Sequence, residues 1–122
     1  MSEQSELLKA RTRRFTLDVF ELIKRIPSTD PGFAIRRQLA KSASSMDMNY
    51  RGACRGRSHA EFTAKIGVVA EEADETAEWL DIIAEARLVD WSRLDQLRKE
   101  SRELLAIFSA SVGTARRRER SR

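Results

Sequence analysis

The sequence is poor in the residues that carry covalent and metal chemistry. In 122 residues it has one cysteine, one histidine, two prolines and five glycines. A single cysteine cannot make an internal disulfide, which agrees with a reducing compartment. No apolar run reaches the roughly 18 residues that a membrane span needs. The opening MSEQSELLKARTRR lacks the apolar core of a signal peptide, so a cytoplasmic protein without membrane contact is expected. What remains is 41% hydrophobic and 34% charged residues. That balance, with so few breakers, predicts one helical domain around one core.

The formal net charge of +4 conceals a division along the chain. Residues 1–70 carry a net +6, residues 71–95 a net −7 and residues 96–122 a net +5. Basic segments so placed can serve nucleic acid, or they can pair with the acidic segment within or between chains.

Four helical periods are legible. Phe62, Ile66, Val69, Ala73, Thr76, Leu80 and Ile83 are spaced 4-3-4-3-4-3, the seam of a long helix packed lengthwise on others. Leu94, Leu97, Ser101, Leu104, Phe108, Ser111 and Ala115 repeat it. Leu8, Phe15, Val19, Leu22 and Ile26 mark an N-terminal helix. Ile35, Leu39, Ser42, Met46, Asn49 or Tyr50, and Ala53 mark a fourth, more polar one. Asn49 close to that stripe reads as a register-setting polar contact rather than a catalytic group.

The breaks have physical causes. Pro27 cannot donate a backbone hydrogen bond and should stop the first helix near Arg25–Ile26. Asp30-Pro31 offers a cap followed by the ring that suits a first helical position. Ser58-His59-Ala60-Glu61 has the form of a capping box, and Asp90 or Ser92 is available before the last helix. Helices are expected at about 5–26, 31–54, 59–87 and 91–115. Short linkers make neighbours antiparallel, so the fold class is an all-α, up-down-up-down four-helix bundle over residues 1–115. Residues 116–122 are expected to be a disordered basic tail.

The segment RGACRGRSHAEF, residues 51–62, contains Cys54, His59, Arg51, Arg55 and Arg57. Cys54 and His59 lie five apart across a glycine-weakened turn, where helix geometry does not bring thiol and imidazole together, so a catalytic pair is not expected. Metal sites in helical bundles use Glu and Glu-x-x-His, and His59 has no Glu three residues before it. The acids Glu71, Glu72, Asp74, Glu75 and Glu78 fall mostly outside the seam, on a solvated or intersubunit face. The arginines are different. Arg51, Arg55 and Arg57 adjoin a helix start, where free amides favour anions. With Arg116, Arg117, Arg118 and Arg120 they are the candidate nucleic-acid contacts. No aromatic-plus-basic RNA-binding signature accompanies them.

Gln38-Leu39, Ser45, Asn49 and then Arg57-Ser58-His59-Ala60-Glu61-Phe62 resemble the bacterial four-helix-bundle family of the 23S rRNA intervening-sequence proteins, the S23 family. Its members typically read Q-L-R-R-A-A-x-S-I-P-x-N-I-A-E-G, followed by R-x-S-x-x-E-F. Glu72-Ala73-Asp74-Glu75-Thr76-x-x-Trp79-Leu80 is similar to the family's E-A-x-E-T-x-x-W-L, and Arg87-Leu88-Val89 stands where many members have a G-L-I/L turn. The resemblance covers about residues 12–112. Asp47 replaces the usual Pro, Arg51-Gly52-Ala53 replaces A-E-G, and the arginine tail is outside the common pattern. The resemblance implies a bundle that assembles into a ring, commonly a homopentamer, with no known enzymatic activity. A related pentameric bundle is accessory to a reverse transcriptase.

The expectation is therefore a non-enzymatic homo-oligomer without cofactor or metal, associated with RNA or DNA through Arg51, Arg55, Arg57, Arg116, Arg117, Arg118 and Arg120. The competing expectation is a protein-interaction module whose charges serve only ring assembly and partner binding.

Overall fold

The computed structural model describes residues 2–121, and among them four α-helices are the only regular elements. They are α1 (Glu3–Ile23), α2 (Gly32–Cys54), α3 (His59–Glu85) and α4 (Leu94–Arg120).

Ser2 caps α1, its Oγ accepting the Ser5 amide at 3.0 Å. The helix ends before the expected Arg25–Ile26. Arg25 and Ile26 already donate to Leu22 and Ile23, the tighter i to i−3 pattern, at 2.8 and 3.1 Å. Ile26 nevertheless stays in the core. Gly32 is obligatory at the start of α2: a Cβ there would stand 1.9 Å from the Pro27 carbonyl oxygen. Asp30 does not cap this helix. Backbone carbonyls of Thr29 and Pro31 take the amides of Phe33 and Ile35 instead.

The capping box before α3 forms with one change. Ser58 Oγ accepts the Glu61 amide at 3.1 Å, while Glu61 Oε2 reaches past Ser58 to the Arg57 amide at 3.3 Å. At its far end the Leu88 amide bonds Ile83 and the Arg87 amide bonds Ala84, a Schellman closure. The residue in the left-handed position is Arg87, with φ 53°. Neither Asp90 nor Ser92 caps α4, which begins after Arg93.

The expected disordered tail is instead helical through Arg120, and Arg122 lies outside the described residues. Arginine is a good helix former, α4 is already nucleated over many turns, and cations complement the negative end of a helix. These terms outweigh repulsion among the arginines.

Each helix packs on its neighbours in sequence, and α1 closes the bundle against α4 with the least contact. The core is built from the four expected stripes, with Phe15, Leu22, Leu39, Met46, Ile66, Leu80, Leu104 and Phe108 among its most buried side chains. Polar contacts fix how the helices slide. Thr76 Oγ1 and Ser42 Oγ lie 2.9 Å apart between α3 and α2. Arg11 forks onto Glu100 at 2.6 and 2.7 Å between α1 and α4. Asn49 does not share this task. Its amide donates to the Ser45 carbonyl and hydroxyl one turn back on α2.

Candidate nucleic-acid interface

Antiparallel order puts the C-terminus of α2, the N-terminus of α3 and the C-terminus of α4 at one end of the bundle. His59 ties two of them together, its Nε2–H donating to the Ala115 carbonyl at 3.0 Å. All seven arginines singled out in the sequence therefore gather at this end. From Ala115 the helix runs on to Arg120, about 7.5 Å at 1.5 Å per residue, and carries Arg116, Arg117, Arg118 and Arg120 with it, all exposed.

The seven are not equivalent. Arg55, Arg57, Arg116, Arg118 and Arg120 are exposed and make no ion pair among the described residues. Arg117 only touches Thr114 Oγ1 at 3.4 Å. Arg51 is different: it lies against Asp47 of its own helix, 3.5 Å from the carboxylate, with its Nε buried. Asp47, buried at the α1–α2 contact, also receives Arg13 from α1 at 2.5 Å. Arg51 is thus engaged inside the protomer. Lys65, not singled out in the sequence, joins the basic end, its aliphatic stem lying 3.4 Å from the Cβ position of Gly52. Its position between the seam residues Phe62 and Ile66 was the available signal.

The acidic segment does not neutralise these cations. Asp81 takes Arg98 and Arg102 from α4 at 3.1 and 2.7 Å. Glu71, Asp74, Glu75, Glu78 and Glu85 are exposed and make no salt bridge among the described residues. Glu71 is twelve residues along α3 from His59, about 18 Å from the basic end.

Cys54 and His59 do not form a pair. The thiol neighbours the Tyr50 phenol, which burial and then Cys54 push above its ordinary value. The imidazole is held by Ala115 as described, beside the Phe62 ring, with centroids 6.4 Å apart. No cluster of metal-ligating side chains occurs among the described residues, and no described helix is long and apolar enough to cross a membrane.

A bundle end bearing unpaired arginines on open surface is suited to holding anions at many points. It presents no exposed aromatic on which a base could stack, since Tyr50 is buried and Phe62 half-buried. A sequence model of the 23S rRNA-intervening sequence protein family matches residues 7–110. The chain belongs to this family. Among solved structures it is similar to a protein with unknown function from the S23 ribosomal protein family of Bacteroides thetaiotaomicron VPI-5482. The TM-score is 0.78 at 21% identity, covering 89% of this chain and 97% of that one. At that identity the likeness concerns the fold. No curated protein matches the sequence. Within this family member, Arg51, Arg55 and Arg57 fall inside the matched region, whereas Arg116–Arg120 lies beyond it.

Proposed function

We propose that this member of the family is a non-enzymatic, homo-oligomeric accessory protein that associates with nucleic acid through the basic end of its bundle. The observation that carries the reading is the concentration there of Arg55, Arg57, Arg116, Arg117, Arg118 and Arg120, exposed and without a partner carboxylate among the described residues. Solvated, unpaired cations keep their counterions until phosphates replace them, and the released ions drive binding. With no stacking platform, contacts fall on the phosphates, so binding is insensitive to base sequence.

A salt titration tests this. Affinity for RNA and DNA duplexes of equal length is expected to fall linearly on a log–log plot, by about 0.9 per phosphate neutralised on B-DNA. Replacing Arg116, Arg117, Arg118 and Arg120 by Gln keeps helix-forming residues in place and is expected to lower both affinity and slope. Arg55→Glu with Arg57→Glu is expected to weaken binding more, through repulsion. Absence of binding at low salt refutes the reading and leaves the protein-interaction alternative. A salt-independent affinity refutes the phosphate mechanism.

A further inference from the structure

α3 carries a second seam on the side away from the core: Val68, Glu71, Glu75, Glu78 and Ile82, spaced 3-4-3-4. Its ends are apolar and exposed, Val68 by 38% and Ile82 by 42%. Its middle is three exposed carboxylates. The outward face of α2 has the complementary order: Phe33, Arg37, Lys41, Ser44 and Met48. Phe33 and Met48 are 53% and 63% exposed. Arg37 and Lys41 between them are exposed and make no salt bridge among the described residues. The apolar ends stand 15 residues apart on α2 and 14 apart on α3, about 22 and 21 Å at the helical rise.

We propose that these two faces are partners, the outward face of α2 in one copy of the chain docking on the outward face of α3 in the next. The heights agree. Within a protomer, the Ser42–Thr76 contact makes residues of α2 and α3 level when their numbers add to 118. A rotation about an axis parallel to the helices preserves height while carrying one copy beside another. Under that rotation Phe33 meets Ile82, Arg37 meets Glu78, Lys41 meets Glu75 and Met48 meets Val68. Each pair adds to 115 or 116, about 3–4.5 Å from level. The two apolar contacts close the ends of the seam, and two cations meet two carboxylates between them.

Electrostatics within the chain favour the same pairing. Burial, then Glu75 and Glu71, push Glu72 above its ordinary value, while Lys41 acts the other way. Glu72, beside the seam, thus lies among like charges that Lys41 of its own chain offsets only in part, and a further cation from a neighbouring copy relieves it. Because the two faces differ, the contact is heterologous and repeats head to tail, as closed rings require. A rotation parallel to the helices also points every basic end the same way, which multiplies weak phosphate contacts by avidity. That last step rests on the proposed function, but the interface itself does not.

The test reads mass in solution, without nucleic acid, so its failure is distinct from failure to bind RNA or DNA. At micromolar concentration the wild-type protein is expected to scatter light as a multiple of 14.0 kDa. Met48→Arg loses the α2 face and Val68→Arg the α3 face. Each alone is expected to be a monomer with wild-type far-UV circular dichroism. Mixed one to one, they are expected to give a dimer and nothing larger, since one intact face of each kind remains. Arg37→Glu and Glu78→Lys are each expected to weaken assembly at least tenfold, and together in one chain to restore it. A monomeric wild type, a mixture that stays monomeric, or assembly indifferent to either charge reversal overturns the proposal.

Discussion

Removing the Asp47 carboxylate is expected to be among the more damaging single substitutions on this bundle. Its side chain is only 3% exposed and faces Arg13 and Arg51, which are 41% and 28% exposed. In Asp47→Ala the two arginines fare differently. Arg13 can turn into solvent, so losing its charge-assisted hydrogen bond costs at the low end of the usual range, about 1.5 kcal/mol. Arg51 cannot follow: its Nε is buried and has no hydrogen-bond acceptor even beside Asp47, so it loses the carboxylate 3.5 Å away that offsets its charge, at about 1–3 kcal/mol. The expected loss is about 2.5–4.5 kcal/mol. In urea, with m of about 2 kcal/mol/M for a chain of this size, the midpoint falls by about 1–2 M. The melts belong at one protein concentration, because any assembly links stability to it. The double variant Asp47→Leu with Arg51→Leu removes the buried charges together and is expected within about 1 kcal/mol of wild type, or above it. A midpoint shift under about 0.3 M for Asp47→Ala, or a double variant as unstable as the single, refutes the argument that a buried charge has been orphaned.

Three further outcomes follow from local geometry. Arg87 holds φ 53° at the end of α3, where a side chain costs about 1–2 kcal/mol relative to glycine, so Arg87→Gly is expected to raise the thermal midpoint by several degrees; an unchanged or lower midpoint contradicts it. Ser58→Ala is expected to cost about 0.5–2 kcal/mol by freeing the Glu61 amide, and Ser58→Gly only a few tenths, so equal losses in calorimetry would show that the cap is not the cause. The Glu72 carboxyl is pushed up in the fold by burial and by Glu75, so its penalty is absent below the unfolded-state value and grows as pH rises through the folded one. Glu72→Gln is therefore expected to stabilise at pH 7, with the advantage vanishing on acidification below the carboxylate range. An advantage that persists or grows in acid reverses the sign and sinks this account.

The inner faces of the helices were legible because burial imposes a period that composition cannot hide. The seam from Phe62 to Ile83 and its counterpart from Leu94 to Ala115 became core with only Phe62 and Ser111 half-buried. Ser58 and Glu61 announced the start of α3 through a side-chain acceptor at a fixed offset. Helix ends governed by backbone alone were harder. Asp30, Asp90 and Ser92 have the right chemistry for a cap, but backbone carbonyls or the preceding turn supplied what they offered. Asp47 was missed for a related reason. One of its partners, Arg51, is visible four residues on, whereas Arg13 is 34 residues away in sequence and meets it only once α1 lies along α2.

The tail shows where a compositional argument fails. A run of arginines reads as disordered when considered alone, because like charges repel and nothing apolar is available to bury. Attached to α4 it needs no nucleus of its own, and each added residue gains a helical hydrogen bond for the backbone freedom it loses. Its cations also sit where the helix end is negative. The result changes what the arginines can do. On a flexible tail they would reach phosphates independently; on a helix continuous with the core they move with the bundle, in fixed relation to Arg55 and Arg57. The same reasoning explains why the acids of α3 read only as a solvated or intersubunit face, without the apolar ends that complete a seam. A search for one apolar stripe per helix leaves the remaining residues without a period of their own, yet Val68 and Ile82 keep the 3-4 period through three carboxylates on the opposite face. A period shared by apolar and charged residues is expected of a surface that meets a complementary surface, and on this chain the surface of matching length, order and opposite charge is α2.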